Sequence, residues 1–114
     1  MDVYELPQIL NQRADSQVPY LEFLRVSSMS MGVYVLPAGG VDPQKPHTED
    51  EVYYVVSGRG TVIVDGEERQ VEAGSLIFVA AGQEHRFHNI YEELALLVFF
   101  APPEYSQAQA PAKA

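Results

Sequence analysis

Closely spaced turn residues divide most of this chain into short segments that favour the β conformation. Between residues 20 and 100, short runs rich in Val, Ile, Leu, Tyr and Phe alternate with Gly, Pro, Asn and Asp. Such runs are typical of β-strands, and many short strands in succession are typical of a sandwich or a barrel. The chain is therefore predicted to be all-β. The predicted strands are 20–26, 30–36, 52–57, 61–64, 68–71, 75–79, 85–89 and 94–100.

Particular residues mark the turns and the start of the chain. Asp65-Gly66 separates two predicted strands and is a strong hairpin signal, because a type I′ turn needs positive φ at both positions. Gly58-Arg59-Gly60 is interpreted as another turn between strands. Ahead of the strands, Leu6–Ala14 is predicted to form a short N-terminal helical segment, since Pro7 suits the first turn of a helix.

The length of the chain suits one domain. It has 114 residues, of which 46% are hydrophobic, and this is enough to fill a single core. No linker or internal repeat divides the sequence. We predict one domain over residues 1–101, followed by a flexible C-terminal tail over residues 102–114, because that last segment is rich in Ala, Gln and Pro.

The charge and the composition argue against several functions. The formal net charge is −9, from 16 acidic and 7 basic residues, so the chain offers no basic face for nucleic acid or for an anionic membrane. With no Cys, disulfides and thiolate metal sites are excluded. The sequence begins without a secretory signal pattern, and no apolar run approaches the roughly 20 residues that cross a bilayer. We expect a cytoplasmic protein.

Histidine and carboxylate residues are candidates for a metal site. In an extended chain His47, Glu49 and Glu51 would share one face, and imidazole and carboxylate groups together suit a transition metal. Acidic loop residues beside one histidine are, however, more often simply solvated. His85 begins a predicted strand and could equally be a buried histidine bonded to a backbone carbonyl. His88 has the opposite parity and is not expected to be a ligand.

The spacing of these residues adds a second argument. Gly39 is followed by five residues, Lys45-Pro46-His47, three residues, Glu51, six residues and Gly58. Further on, Gly74 is followed by five residues, Ala80-Ala81-Gly82, two residues, His85, three residues and Asn89. These segments, 39–58 and 74–89, resemble the two motifs of the cupin superfamily. The resemblance implies a small double-stranded β-helix, or jelly-roll, barrel.

The same resemblance implies a divalent metal inside the barrel. Carried over position by position, it assigns His47, Glu51 and His85 as ligands of iron, manganese, nickel or zinc. Lys45 stands where the family has its first histidine, and a protonated lysine cannot ligate a cation. Two interpretations follow: a metal held by two histidines and one glutamate with open positions, or a cavity that has lost its metal. Glu49 is expected to be a fourth ligand or a general base.

The pocket residues leave the function open. Tyr53, Val55 and Phe87 share the parity of the proposed ligands and are expected to line the pocket, although such residues also simply fill small barrels. Lys45 is expected at its mouth, where it could attract an anionic group, or could be a solvated loop lysine. The function is either that of a metal-dependent enzyme of dioxygenase, isomerase or lyase type, or that of a non-catalytic small-ligand-binding module. The resemblance also implies a homodimer.

Overall fold

The computed structural model describes residues 1–43 and 46–107, which form one helix followed by six strands. The prediction of an all-β fold with a short N-terminal helix is confirmed. The elements are α1 (Leu6–Ser16), β1 (Tyr20–Val26), β2 (Met29–Leu36), β3 (Asp50–Val64), β4 (Glu67–Glu72), β5 (Leu76–Val79) and β6 (His85–Ala101).

The helix α1 is two residues longer than predicted, and Gln17, which follows its last residue, caps it in the left-handed conformation. Its one buried residue, Ile9, packs toward the sheet, and its remaining positions are largely solvated. Within residues 1–43 and 46–107, no helix is both long enough and apolar enough to cross a membrane.

Two strands are much longer than the sequence predicted. The segment Gly58-Arg59-Gly60, predicted to be a turn, lies inside β3, and its register against β6 shifts several times between Val55 and Thr61. Gly58 has a φ of 95°, which L side chains rarely adopt, and its backbone lies against the carbonyl group of Glu93. The segment Gly58-Arg59-Gly60 therefore forms bulges that bend the strand without ending it.

The paired strands β3 and β6 form the centre of the sheet. All strands pair antiparallel, in the order β1-β2-β6-β3-β4, and β5 pairs with the first half of β3. The first half of β3 pairs with the end of β6, and the second half pairs with the start of β6. Buried residues of both halves, from Tyr53 and Phe100 to Val62 and Phe87, belong to one core cluster. The bent sheet thus wraps around a single interior.

The predicted hairpin at Asp65-Gly66 is confirmed, because both residues have positive φ, of 46° and 84°. The Asp65 carboxylate also accepts hydrogen bonds from the side chain of Gln83 and the backbone N–H of Glu84. This turn therefore holds the loop that leads into His85.

Candidate metal centre

Three ligand-type side chains meet inside the barrel although they lie far apart in the sheet. His47 precedes β3, Glu51 is the second residue of β3, and His85 is the first residue of β6. In the β3–β6 pair, Glu51 is opposite Phe100 and His85 is opposite Val64, so the bend of the sheet brings the two together. All three are buried, with 7%, 2% and 5% of their surface exposed.

The donor atoms are close enough to share one ion. One atom from each residue lies within 4.8 Å of the other two. Glu51 Oε1 is 3.1 Å from His85 Nε2 and 3.5 Å from His47 Nδ1. Two ligands at about 2.1 Å from one metal ion, at tetrahedral or octahedral angles, are about 3.0 to 3.4 Å apart. The two separations from Glu51 Oε1, 3.1 and 3.5 Å, are therefore close to those of ligands on one ion.

Hydrogen bonds on the side of each imidazole that faces away from Glu51 determine which nitrogen carries the hydrogen. His85 Nδ1 lies 2.9 Å from the carbonyl oxygen of Gln83, and His47 Nε2 lies 3.1 Å from Oε2 of Glu104. Both partners can only accept, so these nitrogens carry the hydrogen. In neutral imidazoles, His85 Nε2 and His47 Nδ1 then present lone pairs toward Glu51.

The result is three buried acceptor atoms that face one another. Within the described part of the chain, His47 Nδ1, His85 Nε2 and Glu51 Oε1 have no hydrogen-bond partner of regular geometry. Buried polar atoms are normally satisfied, and converging lone pairs repel one another unless a cation lies between them. The two histidines and the glutamate fit a divalent metal.

A proton at His85 is the alternative to a metal ion at this position. Burial lowers the pKa of His85, but the contact of its Nε2 with the Glu51 carboxylate at 3.1 Å and its hydrogen bond to the Gln83 carbonyl, together with the charges of Glu51 and Asp42, raise it above the ordinary value of 6.5. Without metal, a protonated His85 would therefore pair with Glu51. Metal and proton compete for the same lone pairs.

A cavity of about 300 Å³ opens beside His47 and Glu51, and His85 is not among the residues that line it. Aromatic side chains dominate its wall, and among its described lining residues there is no Lys or Arg. Its polar atoms come from His47, two glutamates and several tyrosines. The residues that line it are Pro19, Tyr20, Tyr34, Pro43, His47, Glu51, Tyr53, Val98, Phe100, Glu104 and Tyr105.

The hydroxyls of Tyr34 and Tyr20, two tyrosines of the cavity wall, differ in their hydrogen bonding. Tyr34 donates a 2.6 Å hydrogen bond to Asp42, and burial together with this bond raises the pKa of Tyr34. Tyr20 crosses Gly32, where an added Cβ would come within 2.5 Å of the Tyr20 ring, so the glycine makes room for the ring. The Tyr20 hydroxyl is buried with no hydrogen-bond partner among the described residues, and burial raises its pKa.

Glu49 does not join the three ligand-type residues, which corrects the expectation that it is a fourth ligand or a general base. Its side chain is buried, but its carboxylate accepts hydrogen bonds from the backbone N–H groups of Tyr105 and Gln107 and from the Thr48 hydroxyl. Burial raises the pKa of Glu49, and these hydrogen bonds outweigh it and lower the pKa. Because Thr48 and Glu49 form a bend before β3, strand parity does not apply to them.

The predicted pocket residues separate into three groups. Tyr53 lines the cavity. Val55 and Phe87 do not: they are 0% and 1% exposed and belong to the core, which corrects that expectation. Lys45 lies outside the described residues. His88 stands apart from the three donor residues and pairs with Glu68.

Sequence reasoning missed several residues of the site. Tyr20 and Tyr34 have inward parity on β1 and β2, a signal that was available but not specific. Glu104 and Tyr105 follow the last strand in a segment predicted to be a flexible tail, and nothing in the local sequence indicates that it turns back. Their position depends on contacts with residues distant in the chain. The rest of that predicted tail, residues 108–114, lies outside the described residues.

Comparisons with known proteins agree with this architecture. An uncharacterized protein of Streptomyces coelicolor is 49% identical over 104 residues, which cover 91% of this chain and 99% of that protein. The solved structure of TT1209 from Thermus thermophilus matches with a TM-score of 0.71 and 26% identity, over 90% of this chain and 99% of that one. KdgF from Halomonas sp. has the same fold, with a TM-score of 0.67 and 19% identity over 73% and 76% of the two chains.

A family comparison identifies the chain. The sequence model of the cupin domain matches residues 32–101, which run from β2 to the end of β6 and include all three ligand-type residues. Both spacing motifs lie within this range, and the helix and β1 precede it. The fold is the cupin jelly roll, and the chain belongs to the cupin family.

Proposed function

We propose that the protein binds one divalent metal ion, iron, manganese, nickel or zinc, through His47, Glu51 and His85. The observation that carries this proposal is the set of three buried acceptor atoms, each within 4.8 Å of the others, while the second nitrogen of each imidazole faces an acceptor on the other side. With the hydrogens on His85 Nδ1 and His47 Nε2, neutral imidazoles and a carboxylate leave these atoms without a partner unless a cation lies between them.

We propose further that the metal-bound cavity acts on a small metabolite. Three protein ligands leave coordination positions open, and a bound ion would supply Lewis-acid or redox chemistry there. The aromatic walls favour a ligand with a flat or apolar body. Tyr20 lines the cavity and its hydroxyl has no hydrogen-bond partner among the described residues, so Tyr20 is the proposed hydrogen-bond donor to that ligand. Dioxygenase, isomerase and lyase chemistry are all compatible with this site.

A second candidate function is non-catalytic ligand binding or sensing in the same cavity. Two observations favour it. The chain has Lys45 where cupins usually have the first ligand histidine, and the carboxylate of Glu49 is fully engaged in hydrogen bonds, so that residue is not free to move protons. Turnover of a bound ligand in the presence of metal would separate the two functions.

Elemental analysis tests the metal proposal directly. The protein is purified without chelator beside a His47→Ala/His85→Ala double variant, with His88→Ala as the matched control. We expect near-stoichiometric metal in the unaltered protein and in the control, and none in the double variant. Metal below a tenth of stoichiometry after reconstitution, or equal metal in the double variant, would refute the proposal and leave a metal-free binding module.

An apolar outer face supports the proposal that the protein is a homodimer. Met31, Phe99, Val52 and Phe78 form one row across β2, β6, β3 and β5, and Leu97, Tyr54 and Leu76 form part of the next. Leu76 and Phe78 are 71% and 62% exposed. Exposed apolar patches mark interaction sites. Because these seven residues carry no charge, two copies with a net charge of −9 can meet along them without opposing like charges.

The cytoplasmic location stays a prediction.

A further inference from the structure

The described residues after β6 turn back over the metal centre. We call residues 102–107 the C-terminal strap. Its backbone is fixed at several points: the N–H of Glu104 donates to the Ser30 hydroxyl at 2.9 Å, and the carbonyl of Glu104 accepts from Arg25 at 3.0 Å. Further along, the N–H groups of Tyr105 and Gln107 donate to the Glu49 carboxylate at 2.5 and 2.9 Å.

These anchors come from distant parts of the fold. Ser30 is a fully buried residue of β2, and Glu49, just ahead of β3, is 1% exposed. A buried carboxylate needs hydrogen-bond donors, and the strap supplies two of them. The conformation of the strap is therefore coupled to the interior of the barrel, and Glu49 serves as its anchor.

The strap places two side chains on His47. Oε2 of Glu104 lies 3.1 Å from His47 Nε2, and the ring of Tyr105 stacks on the imidazole with centroids 5.2 Å apart at 27°. The Glu104 side chain is 18% exposed and also lines the cavity. His47 is thus held from behind by a charged acceptor and from one face by an aromatic ring.

The carboxylate of Glu104 determines the tautomer of His47. An ionised carboxylate can only accept, so it holds the hydrogen on Nε2 and leaves the lone pair on Nδ1, the atom that faces Glu51. In metal sites, a carboxylate behind a ligand histidine orients the ring and increases its basicity, and loss of such a partner typically weakens metal binding about 10- to 100-fold. The Gln83 carbonyl does the same for His85.

We propose that Glu104 is a positioning residue of the metal centre, through which the C-terminal strap controls the geometry and the affinity of His47 as a ligand. The inference rests on the proposed function for its effect on metal. Its first step, the tautomer of His47, is independent of metal. The site is therefore completed by a segment that follows the last strand of the barrel.

Two readouts test the proposal on full-length protein with Glu104→Ala, Glu104→Gln and the control Glu67→Ala, whose side chain is exposed on β4. The first is the tautomer of His47 in metal-free protein, read from long-range ¹H–¹⁵N correlations at a pH where the imidazole is neutral. We expect the Nε2–H form in the unaltered protein and the control. Glu104→Gln should retain it, because the amide oxygen also accepts, and Glu104→Ala should show a mixture. The tautomer of His85 should stay unchanged in all of them.

The second readout is the affinity for Co²⁺, titrated against a competing chelator. We expect Glu104→Ala to weaken binding about 10- to 100-fold and to alter the visible absorption of the bound Co²⁺, while Glu104→Gln lies between it and the unaltered protein. If Glu104→Ala keeps the Nε2–H tautomer or binds Co²⁺ with unaltered affinity and spectrum, the proposal is wrong. If the unaltered protein binds no Co²⁺ at all, the proposed function fails, and the tautomer measurement still decides the role of Glu104.

Discussion

Replacement of Gly58 by alanine tests whether the bend in β3 depends on this glycine. Gly58 has a φ of 95°, and a Cβ there would lie 2.7 Å from the carbonyl carbon of Glu93 on β6 and closer still to its oxygen. A strained backbone costs a non-glycine residue about 1 to 3 kcal/mol. Forcing extra volume against a packed neighbour costs about 1 to 3 kcal/mol more. We therefore expect Gly58→Ala to lower the free energy of unfolding by about 2 to 6 kcal/mol.

Gly74 provides the matched control, because it has the same φ of 95° and no atom within 4 Å of the position a Cβ would take. Gly74→Ala should show only the backbone cost of about 1 to 3 kcal/mol. Urea denaturation of both metal-free variants measures the difference. Equal losses of stability in the two variants would show that the close approach to Glu93 does not constrain the bend, and would refute the reasoning.

The remaining predictions concern the site and the outer face. Because the folded-state pKa of His85 is raised above 6.5, its pairing with Glu51 stabilises the metal-free protein fully below pH 6.5, and this stabilisation is lost as pH rises through the raised pKa. The stability of His85→Gln, measured by denaturation across the same pH range, should lack that decline. An identical pH profile in both proteins would contradict the assignment. Metal retention should run in the opposite direction and fall as the solution is acidified, which dialysis at stepped pH would reveal. Phe78→Lys should convert a dimer to a monomer in light scattering without loss of metal, whereas an unchanged mass would exclude this face as the interface. Tyr20→Phe should weaken binding of a polar cavity ligand with no loss of metal, and unchanged affinity would remove Tyr20 from the binding site.

The local patterns predicted the strand positions better than they predicted where strands end. Asp65-Gly66 ends a strand because both residues adopt positive φ and only two residues join the paired strands. Gly58-Arg59-Gly60 has the same kind of composition but forms bulges, because β6 continues to pair on the far side of it. Whether a glycine turns the chain or bends it depends on the partner strand, and local sequence does not contain that information.

The ligand-type residues could be identified from spacing because the relation between the two motifs is a property of the whole barrel. The alternation rule was less reliable for single residues. It was applied to Glu49, which lies in a bend before β3, and to Val55 and Phe87, which point inward but lie deeper in the core than the cavity. Inward parity distinguishes interior from surface, and it does not distinguish cavity wall from packed core.

The most consequential departure from the sequence-based expectation is the C-terminal strap, because it changes the role of Glu49, an acidic residue near the candidate metal centre. If Glu49 were a ligand or a base, its carboxylate would have to be free to face the ion or a substrate. Instead its oxygens accept hydrogen bonds from backbone N–H groups of the strap. Its pKa is also lowered, which makes it a poor base. The second carboxylate that contacts His47 is that of Glu104, which follows the last strand of the barrel. Glu49, two positions from His47, thus holds the strap that carries Glu104. The surroundings of His47 therefore include a segment whose composition alone indicates only a chain end.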